Sequence, residues 1–360
     1  METMGRDIPT TPVVIPVFLS HAECRQHCLF CNPKATGAGG PDPSSLQRFI
    51  DTSLQQIPSR HRGRQKQVAF YGGSFTAMSP EKQISYLREV HPFLAAGRID
   101  SIRISTRPDA LGEEILSLLQ EHGVRTVEIG VQSMIDDVLL LSNRGHSAAD
   151  TISAISRLKQ RNFDVGAQLM IGLPGDTMER FLNTLDLLIP FRPDFLRIHP
   201  TLVLRGAPLE TLWRSGQYVP LSLDEAVQWL KRGLLLLEKA SVPVARIGLQ
   251  PTRELEAHLL AGPYHPSLSQ LVRSAIALDM ASHLLHLCGE KTHARFFCHP
   301  KEMSTVRGQR NGNILKLLDR FRFKDIFLGA REDVPRECLV LQTSDGEHSA
   351  HRREFYDGPH

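Results

Sequence analysis

Six cysteines in 360 residues are too few and too unevenly spread for a disulfide framework. Three of them, Cys288, Cys298 and Cys338, are scattered and read as small buried apolar side chains. That usage suits a reducing compartment, and a cytoplasmic location is expected. Long hydrophobic runs are also missing. The apolar stretch PVVIPVFLS (12–20) is broken by Pro16 and is too short to span a bilayer. It lacks the charged lead and small-residue cleavage site of a secretory leader, so no membrane partner is expected. Charge of one sign is not in excess: a net +3 permits a nucleic-acid partner without arguing for one. There is no solenoid repeat, no low-complexity tract and no dinucleotide fingerprint after the first strand. The paired-acid and Ser–His patterns of hydrolases have no compelling representative.

What is present is an ordinary globular mixture, 22% charged and 41% hydrophobic, in a chain long enough for one large domain and a smaller one. A strand-then-helix rhythm runs through the first two thirds. Strands are expected at VVIPVFLS (13–20), QVAFYGG (67–73), SIRISTR (101–107), TVEIGVQS (126–133), DVGAQLMIG (164–172) and FLRIHP (195–200), with RIGL (246–249) as a further one. Several are near-continuous apolar runs, the mark of parallel strands covered on both faces. Helix starts are legible at Ser79-Pro80 and in the capping box Ser222-Leu-Asp-Glu225, and Gly123 is a natural helix terminator. Successive βα units predict an α/β fold: a parallel sheet with right-handed crossovers, better accommodated by a complete or partial barrel than by a doubly wound sheet. Near residue 250 the rhythm breaks into a loop, a long helix and short strands at 294–299, 325–329 and 338–343. The expected organisation is a tail (1–11), a core domain (12–250), a small α+β domain (251–345) and a frayed polar tail (346–360).

Directly after the first strand stands CRQHCLFC, with Cys24, Cys28 and Cys31 in one short window. Thiolates at this spacing can hold three corners of a 4Fe-4S cluster, leaving one iron open to a substrate or cofactor. A closed zinc site is the alternative, with His21 or His27 as the fourth ligand. Polar motifs gather at the ends of the later strands, where parallel α/β proteins place their chemistry. These are Gly72-Gly73-Ser74, Ser105-Thr106-Arg107-Pro108-Asp109, EIGVQS with Glu128, Gly130 and Gln132 on one face, Asn143-Arg144-Gly145-His146, Gln168, and LPGDT (173–177). A glutamate inside a strand must be paired or functional, because an unpaired buried carboxylate is expensive. Arg144 suits a carboxylate fork. His146 is either a site residue or a helix cap, and Asp176 or Thr177 caps the helix that follows.

Cx3Cx2C after strand one, with Phe30 just before the last cysteine, resembles the signature of the radical S-adenosylmethionine (SAM) superfamily. That resemblance implies a partial (β/α) barrel, a 4Fe-4S cluster on Cys24, Cys28 and Cys31, and reductive cleavage of SAM to a 5′-deoxyadenosyl radical that abstracts hydrogen from substrate. It implies an electron donor of the flavodoxin or ferredoxin type. Phe30, Gly72, Gly73, Ser74, Arg107, Glu128, Gln132 and Arg144 are then the candidates for holding SAM or lining its site, with Ser74 where a GGE-type motif carries its acid. The ensemble GGSF, TRPD, EIGVQS, NRGH, MIGLPG and RIHPTLVLRG over 12–250 is most similar to the radical SAM domain of the Elongator catalytic subunit and its bacterial relatives. PTRELE, AGPYHP and RGQRN resemble the carboxy-terminal extension found beside such domains. That family usually has a longer gap between its first two cysteines, and it carries an acetyltransferase domain not expected in this chain.

The resemblance makes RNA, such as tRNA, the expected substrate class. Tetrapyrrole or other small-molecule chemistry is the alternative enzyme reading, and a non-catalytic iron–sulfur or RNA-binding protein the alternative outside enzymes. The basic run Arg307, Arg310, Lys316, Arg320, Arg322 and Lys324, interleaved with Phe321 and Phe323, reads first as a solvated helix face with its aromatics in the core.

Overall fold

Every strand expected in the first 250 residues forms, and together they make one sheet. The strands are β1 (Val13–Phe18), β2 (Lys66–Tyr71), β3 (Ser101–Thr106), β4 (Val124–Gln132), β5 (Asp164–Ile171), β6 (Phe195–Pro200) and β8 (Val244–Ile247); a short β7 (Val203–Leu204) lies outside this sheet. The computed structural model describes residues 12–19, 28–32, 35, 39–287, 293–344 and 346–356. The sheet runs β1-β2-β3-β4-β5-β6-β8 with every neighbour parallel. Among the described residues β1 and β8 are its edges and no ladder joins them, so the sheet curls into a partial barrel.

Period-two alternation divides the strand residues into two sets. Ile15, Val17, Val68, Phe70, Ile102, Ile104, Val127, Ile129, Leu196 and Ile198 point one way and are at most 2% exposed. They pack against helices 43–55, 80–95, 113–121, 148–160, 178–188 and 223–239 through Leu46, Leu87, Leu116, Leu158, Leu185 and Leu230. Burying each such side chain stabilises the fold by about 1.5–3 kcal/mol, which fixes strand register as well as stability. The other set is polar: Gln67, Tyr71, Arg103, Thr126, Glu128, Gln168, Arg197, His199 and Arg246 line the concave face.

Local signals place the helices. Ser222 and Glu225 exchange the reciprocal bonds of a capping box, and so do Ser147 and Asp150 at the start of 148–160. Thr177, not Asp176, caps helix 178–188. No described helix is long and apolar enough to cross a membrane.

Beyond β8, helix 253–258 leads to β9 (Leu259–Ala261), which pairs antiparallel with β7. Helix 268–287 packs on helix 223–239, where buried Lys231 donates to Asp279 at 2.7 Å. A four-stranded sheet follows: β10 (His293–Cys298), β11 (Asp325–Ala330), β12 (Cys338–Thr343) and β13 (Gly346–His351), in the order β11-β10-β12-β13. Strand β13 corrects the expectation of a frayed tail from 346. It pairs antiparallel with β12, and the next residue, Arg352, is buried in an ion pair with Glu238 (2.9 Å) and another with Glu337. Of its six residues only Ala350 is buried, so hydrophobic pattern gave no cue; backbone pairing and one arginine supply the order. In the basic run, Phe321 and Phe323 pack onto the core, while Arg320 donates to Ser282 of helix 268–287.

Candidate active site

Cys28 and Cys31 follow β1 in the chain and pack beside the loop after β4. Cys24 lies outside the described residues. Cys28 is buried and Cys31 half-buried, joined by a turn in which Cys31 N donates to Cys28 O at 3.1 Å. Two backbone bonds clamp this turn, Leu29 N to Ser142 O (3.1 Å) and Leu209 N to Leu29 O (2.8 Å). The Asn32 amide donates to Arg205 O. Phe30 packs between two apolar clusters, one containing Val138, Met170 and Leu173 and the other Val203, Leu209 and Tyr218. It therefore closes the apolar wall beside the cysteines.

Arg144 organises the centre. Its Nη1 donates to Cys28 Sγ at 3.4 Å and its Nη2 to Gly130 O at 2.7 Å. A guanidinium aimed at sulfur is the surrounding that an anionic thiolate ligand needs. Gly130 leaves room for these groups: a Cβ would stand 2.7 Å from Arg144 Nη2 and 2.9 Å from Gln132 Nε2, and both side-chain ends would have to shift. The β4–β5 register slips between Gly130 and Gln132, and Gln132 has φ +66°. This bulge departs from the simple alternation expected over Glu128, Gly130 and Gln132, and a left-handed non-glycine residue stores strain of about 1–3 kcal/mol. Three buried polar atoms here have no partner among the described residues: Gln132 Oε1, Arg144 Nε and His146 Nδ1. Buried groups left unsatisfied cost about 1–3 kcal/mol each, so the constellation is shaped for a polar ligand that completes it.

His146 is not a cap; that role belongs to Ser147. Its Nε2 lies 3.2 Å from Val131 O, which assigns the proton to that nitrogen and leaves Nδ1 as an acceptor. Burial, then the charges of Arg144 and Arg107, push its pKa down to about 4. Ser74 Oγ lies 2.8 Å from Thr106 Oγ1 and accepts from Arg107 N at 3.2 Å, joining the ends of β2 and β3. Gly72, with φ +95°, makes the turn after β2 in a conformation that side chains avoid. The Arg107 guanidinium forks Asp109 (2.9 and 2.7 Å) and donates to Arg144 O at 2.8 Å. Its place is to hold the Arg144 loop against β3, with its donors engaged inside the chain.

Glu128 stands apart from this group. Only 2% exposed, it accepts from Tyr71 Oη (2.7 Å), Arg103 Nη1 (2.9 Å) and Arg197 Nη1 (3.0 Å) on the concave face. Its carboxylate is spent on charge balance, which is the paired alternative to a cofactor contact. Arg103 Nη2 continues to Gln67 Oε1 at 2.6 Å, and Gln67 Nε2 to Ser101 Oγ at 3.0 Å. Burial and the Glu128 charge push the Tyr71 hydroxyl up to about 12. Gly166 makes room for this layer, since a Cβ there would fall 2.4 Å from the Phe195 ring that Arg103 covers. Tyr71, Arg103, Arg197, His199 and Arg246 were absent from the sequence-derived site. The available signal was a charged or aromatic-polar residue at every second position of otherwise apolar strands.

LPGDT follows β5. Asp176 accepts from Gly172 N (2.9 Å) and Thr177 N (3.0 Å), and burial pushes its carboxyl up to about 7. With Tyr218 and Leu221 it borders a cavity of about 470 Å³, and Leu173 and Tyr218 of its lining also pack against Phe30 in the cysteine turn.

Among known proteins, the Radical SAM superfamily model matches residues 20–188 and the Radical SAM C-terminal domain model residues 193–277. The chain belongs to the radical SAM superfamily, whose members are enzymes that use a 4Fe-4S cluster and SAM. It is similar to the tRNA uridine(34) acetyltransferase of Methanocaldococcus jannaschii, 33% identical over 63% of this chain and 49% of that protein. Human Elongator complex protein 3 is 30% identical over 58% of this chain and 45% of its own length. The chain thus spans about half the length of the curated relatives it matches. The solved Elp3 of Methanocaldococcus infernus superposes with a TM-score of 0.60 at 24% identity, covering 74% of this chain and 63% of that one, and so shares the fold. The two family matches meet between helix 178–188 and β6.

Proposed function

We propose that this chain is a radical SAM enzyme that modifies RNA. Support for the RNA class comes from the archaeal relative, a tRNA uridine(34) acetyltransferase. The observation that carries the catalytic reading is Arg144, which joins the sulfur of Cys28 to the carbonyl of Gly130 inside a ring of unsatisfied buried atoms. Cys24, Cys28 and Cys31 would hold the cluster. When bound, the cluster and SAM supply one-electron cleavage of SAM and removal of a hydrogen atom from substrate.

The chain's own residues position and shield. Gly72, Gly73 and Ser74 expose backbone at the end of β2, Gln132 Oε1 and His146 Nδ1 offer acceptors, and Arg144 Nε offers a donor. Phe30 excludes water from the sulfur side. Arg107 and Thr106 fix the loops that carry these groups, and Glu128 bridges and neutralises Arg103 and Arg197. The core domain is 12–250, and the appended domain runs from 251 through strand β13. The reductant is a flavodoxin- or ferredoxin-type donor, and the compartment is the cytoplasm.

Anaerobic reconstitution tests the reading. The protein should take up about four irons per chain, bind SAM in equilibrium dialysis, release 5′-deoxyadenosine on reduction, and retain tRNA on a filter. Stoichiometric zinc without iron absorption, or a cluster with neither SAM binding nor 5′-deoxyadenosine release, overturns it.

A further inference from the structure

The concave face carries more positive charge than its own carboxylate can balance. Arg197 on β6 and Arg246 on β8 stand in direct register on adjacent parallel strands. Like charges side by side on one face of a sheet repel. Glu128 is already shared by Arg103, Arg197 and Tyr71. Among the described residues no carboxylate pairs with Arg246. Its Nε donates to Gly248 O at 3.1 Å and its Nη2 to Leu249 O at 3.2 Å. Those carbonyls aim the guanidinium without neutralising it. On the next position of the same face of β6 sits His199, whose Nε2 is buried without a partner among the described residues, as is Arg103 Nε. Three guanidiniums against one carboxylate leave an excess of about two charges on this half-buried wall. Arg246 stands on β8, the edge strand of the sheet among the described residues, and its side chain is half-buried.

We propose that Arg246, with Arg197 and His199, forms a binding site for an oxyanion carried by the substrate. A phosphate or carboxylate group offers two or more acceptor oxygens, matching a planar fork pre-aimed by backbone carbonyls. The site rests on reading the concave face as the substrate chamber, and it adds the substrate's chemical class. Arg246 is then a specificity-determining residue that anchors a charged group of the substrate.

The test uses the cluster-loaded protein and its Arg246→Gln and Arg246→Lys variants, with thermal unfolding followed in inorganic phosphate, acetate or chloride at matched ionic strength. Ligand that binds only the folded state raises the melting temperature by mass action. Phosphate should raise that of the parent by at least about 2 °C over chloride. The rise should vanish in Arg246→Gln and persist in part in Arg246→Lys. An equal rise in acetate assigns the site to carboxylates as well as phosphates. Comparing uridine 5′-monophosphate with a short RNA distinguishes a free metabolite from a polymer as the source of the anion. An unchanged rise in Arg246→Gln, or no rise beyond chloride in the parent, overturns the proposal. So does a tenfold loss of SAM affinity in Arg246→Gln, which would assign the charge to the cofactor. If Arg246→Gln does not fold, His199→Asn replaces it, with the same loss of the phosphate effect expected. Iron content and SAM binding are read on the same samples. If they fail while the phosphate effect stands, the radical SAM reading falls and the anion site remains; the reverse removes only the anion site.

Discussion

Arg144 reaches across 116 positions of sequence to put its Nη1 3.4 Å from the sulfur of Cys28. The same guanidinium holds the carbonyl of Gly130, so cysteine loop, strand β4 and the loop after it are one mechanical unit. Arg107 completes the unit by donating to the Arg144 carbonyl. With Cys28 as a ligand of the proposed cluster, Arg144 would orient that ligand, and residues in such a position typically change metal affinity about 10–100-fold when replaced.

Replacing Arg144 should therefore weaken the cluster before it weakens the fold. Arg144→Gln is expected to lower iron retention during anaerobic gel filtration by at least about tenfold, with the far-ultraviolet dichroism unchanged. Arg144→Lys should retain an intermediate amount, because an ammonium supplies charge without the second directed bond.

Gly130→Ala places a methyl group 2.7 Å from Arg144 Nη2. Overpacking of this kind destabilises by about 1–3 kcal/mol. The displaced guanidinium should reduce SAM affinity by about tenfold or more, a difference of ~1.4 kcal/mol, measured by equilibrium dialysis on the reconstituted protein. Unchanged affinity would separate Arg144 from the cofactor.

Glu128→Ala leaves Arg103 and Arg197 buried without their carboxylate. Breaking a buried pair from one side costs about 3–5 kcal/mol, so the urea midpoint should fall steeply with little change in slope. Glu128→Gln should fall less, since an amide oxygen still accepts. Tyr71→Phe, which removes one donor of three, should cost about 1 kcal/mol.

Below neutrality, buried residues should pull stability in opposite directions as pH changes. His146 and His199 titrate at about 4 and about 3 when folded, both lowered first by burial. Unfolded histidine titrates near 6.5, so the unfolded state binds the extra protons, and stability is lost as pH falls from about 6.5. Asp176 behaves oppositely. Burial raises it to about 7 when folded, from 3.8, so the folded state binds the extra proton and stability is lost as pH rises through 7. Asp176→Asn should remove the loss of stability between about pH 4 and 7, and His146→Gln with His199→Gln the loss as pH falls below about 6.5, in urea titrations at each pH.

Arg352 ties the last strand to the barrel's helix 223–239 through Glu238. Arg352→Ala should destabilise by about 2–4 kcal/mol, below the range of a fully buried pair because Glu337 is partly exposed. Deleting 346–360 should do at least as much, and protease nicking near 345 should rise in both. An unaffected deletion variant would return this segment to the status of a loose tail.

The sequence by itself determined the parallel strands, the capped helices, and the cysteine window that names the superfamily. These are local quantities: period-two apolarity, Ser–Glu spacing, and three thiols on one loop. Only the tertiary structure decided which polar residues act together. Arg144 meets Cys28, Arg197 lies beside Arg246, and Glu128 is consumed by strands β2, β3 and β6 rather than offered to a cofactor. Gln132 is re-aimed by a bulge that residue alternation does not register, and the polar segment after residue 346 is ordered by backbone pairing and one arginine. Each depends on strand order, register and curl, which come from packing a whole sheet against its helices. A residue's type states what it can bond to, while the fold states what is left for a ligand once the chain has bonded to itself.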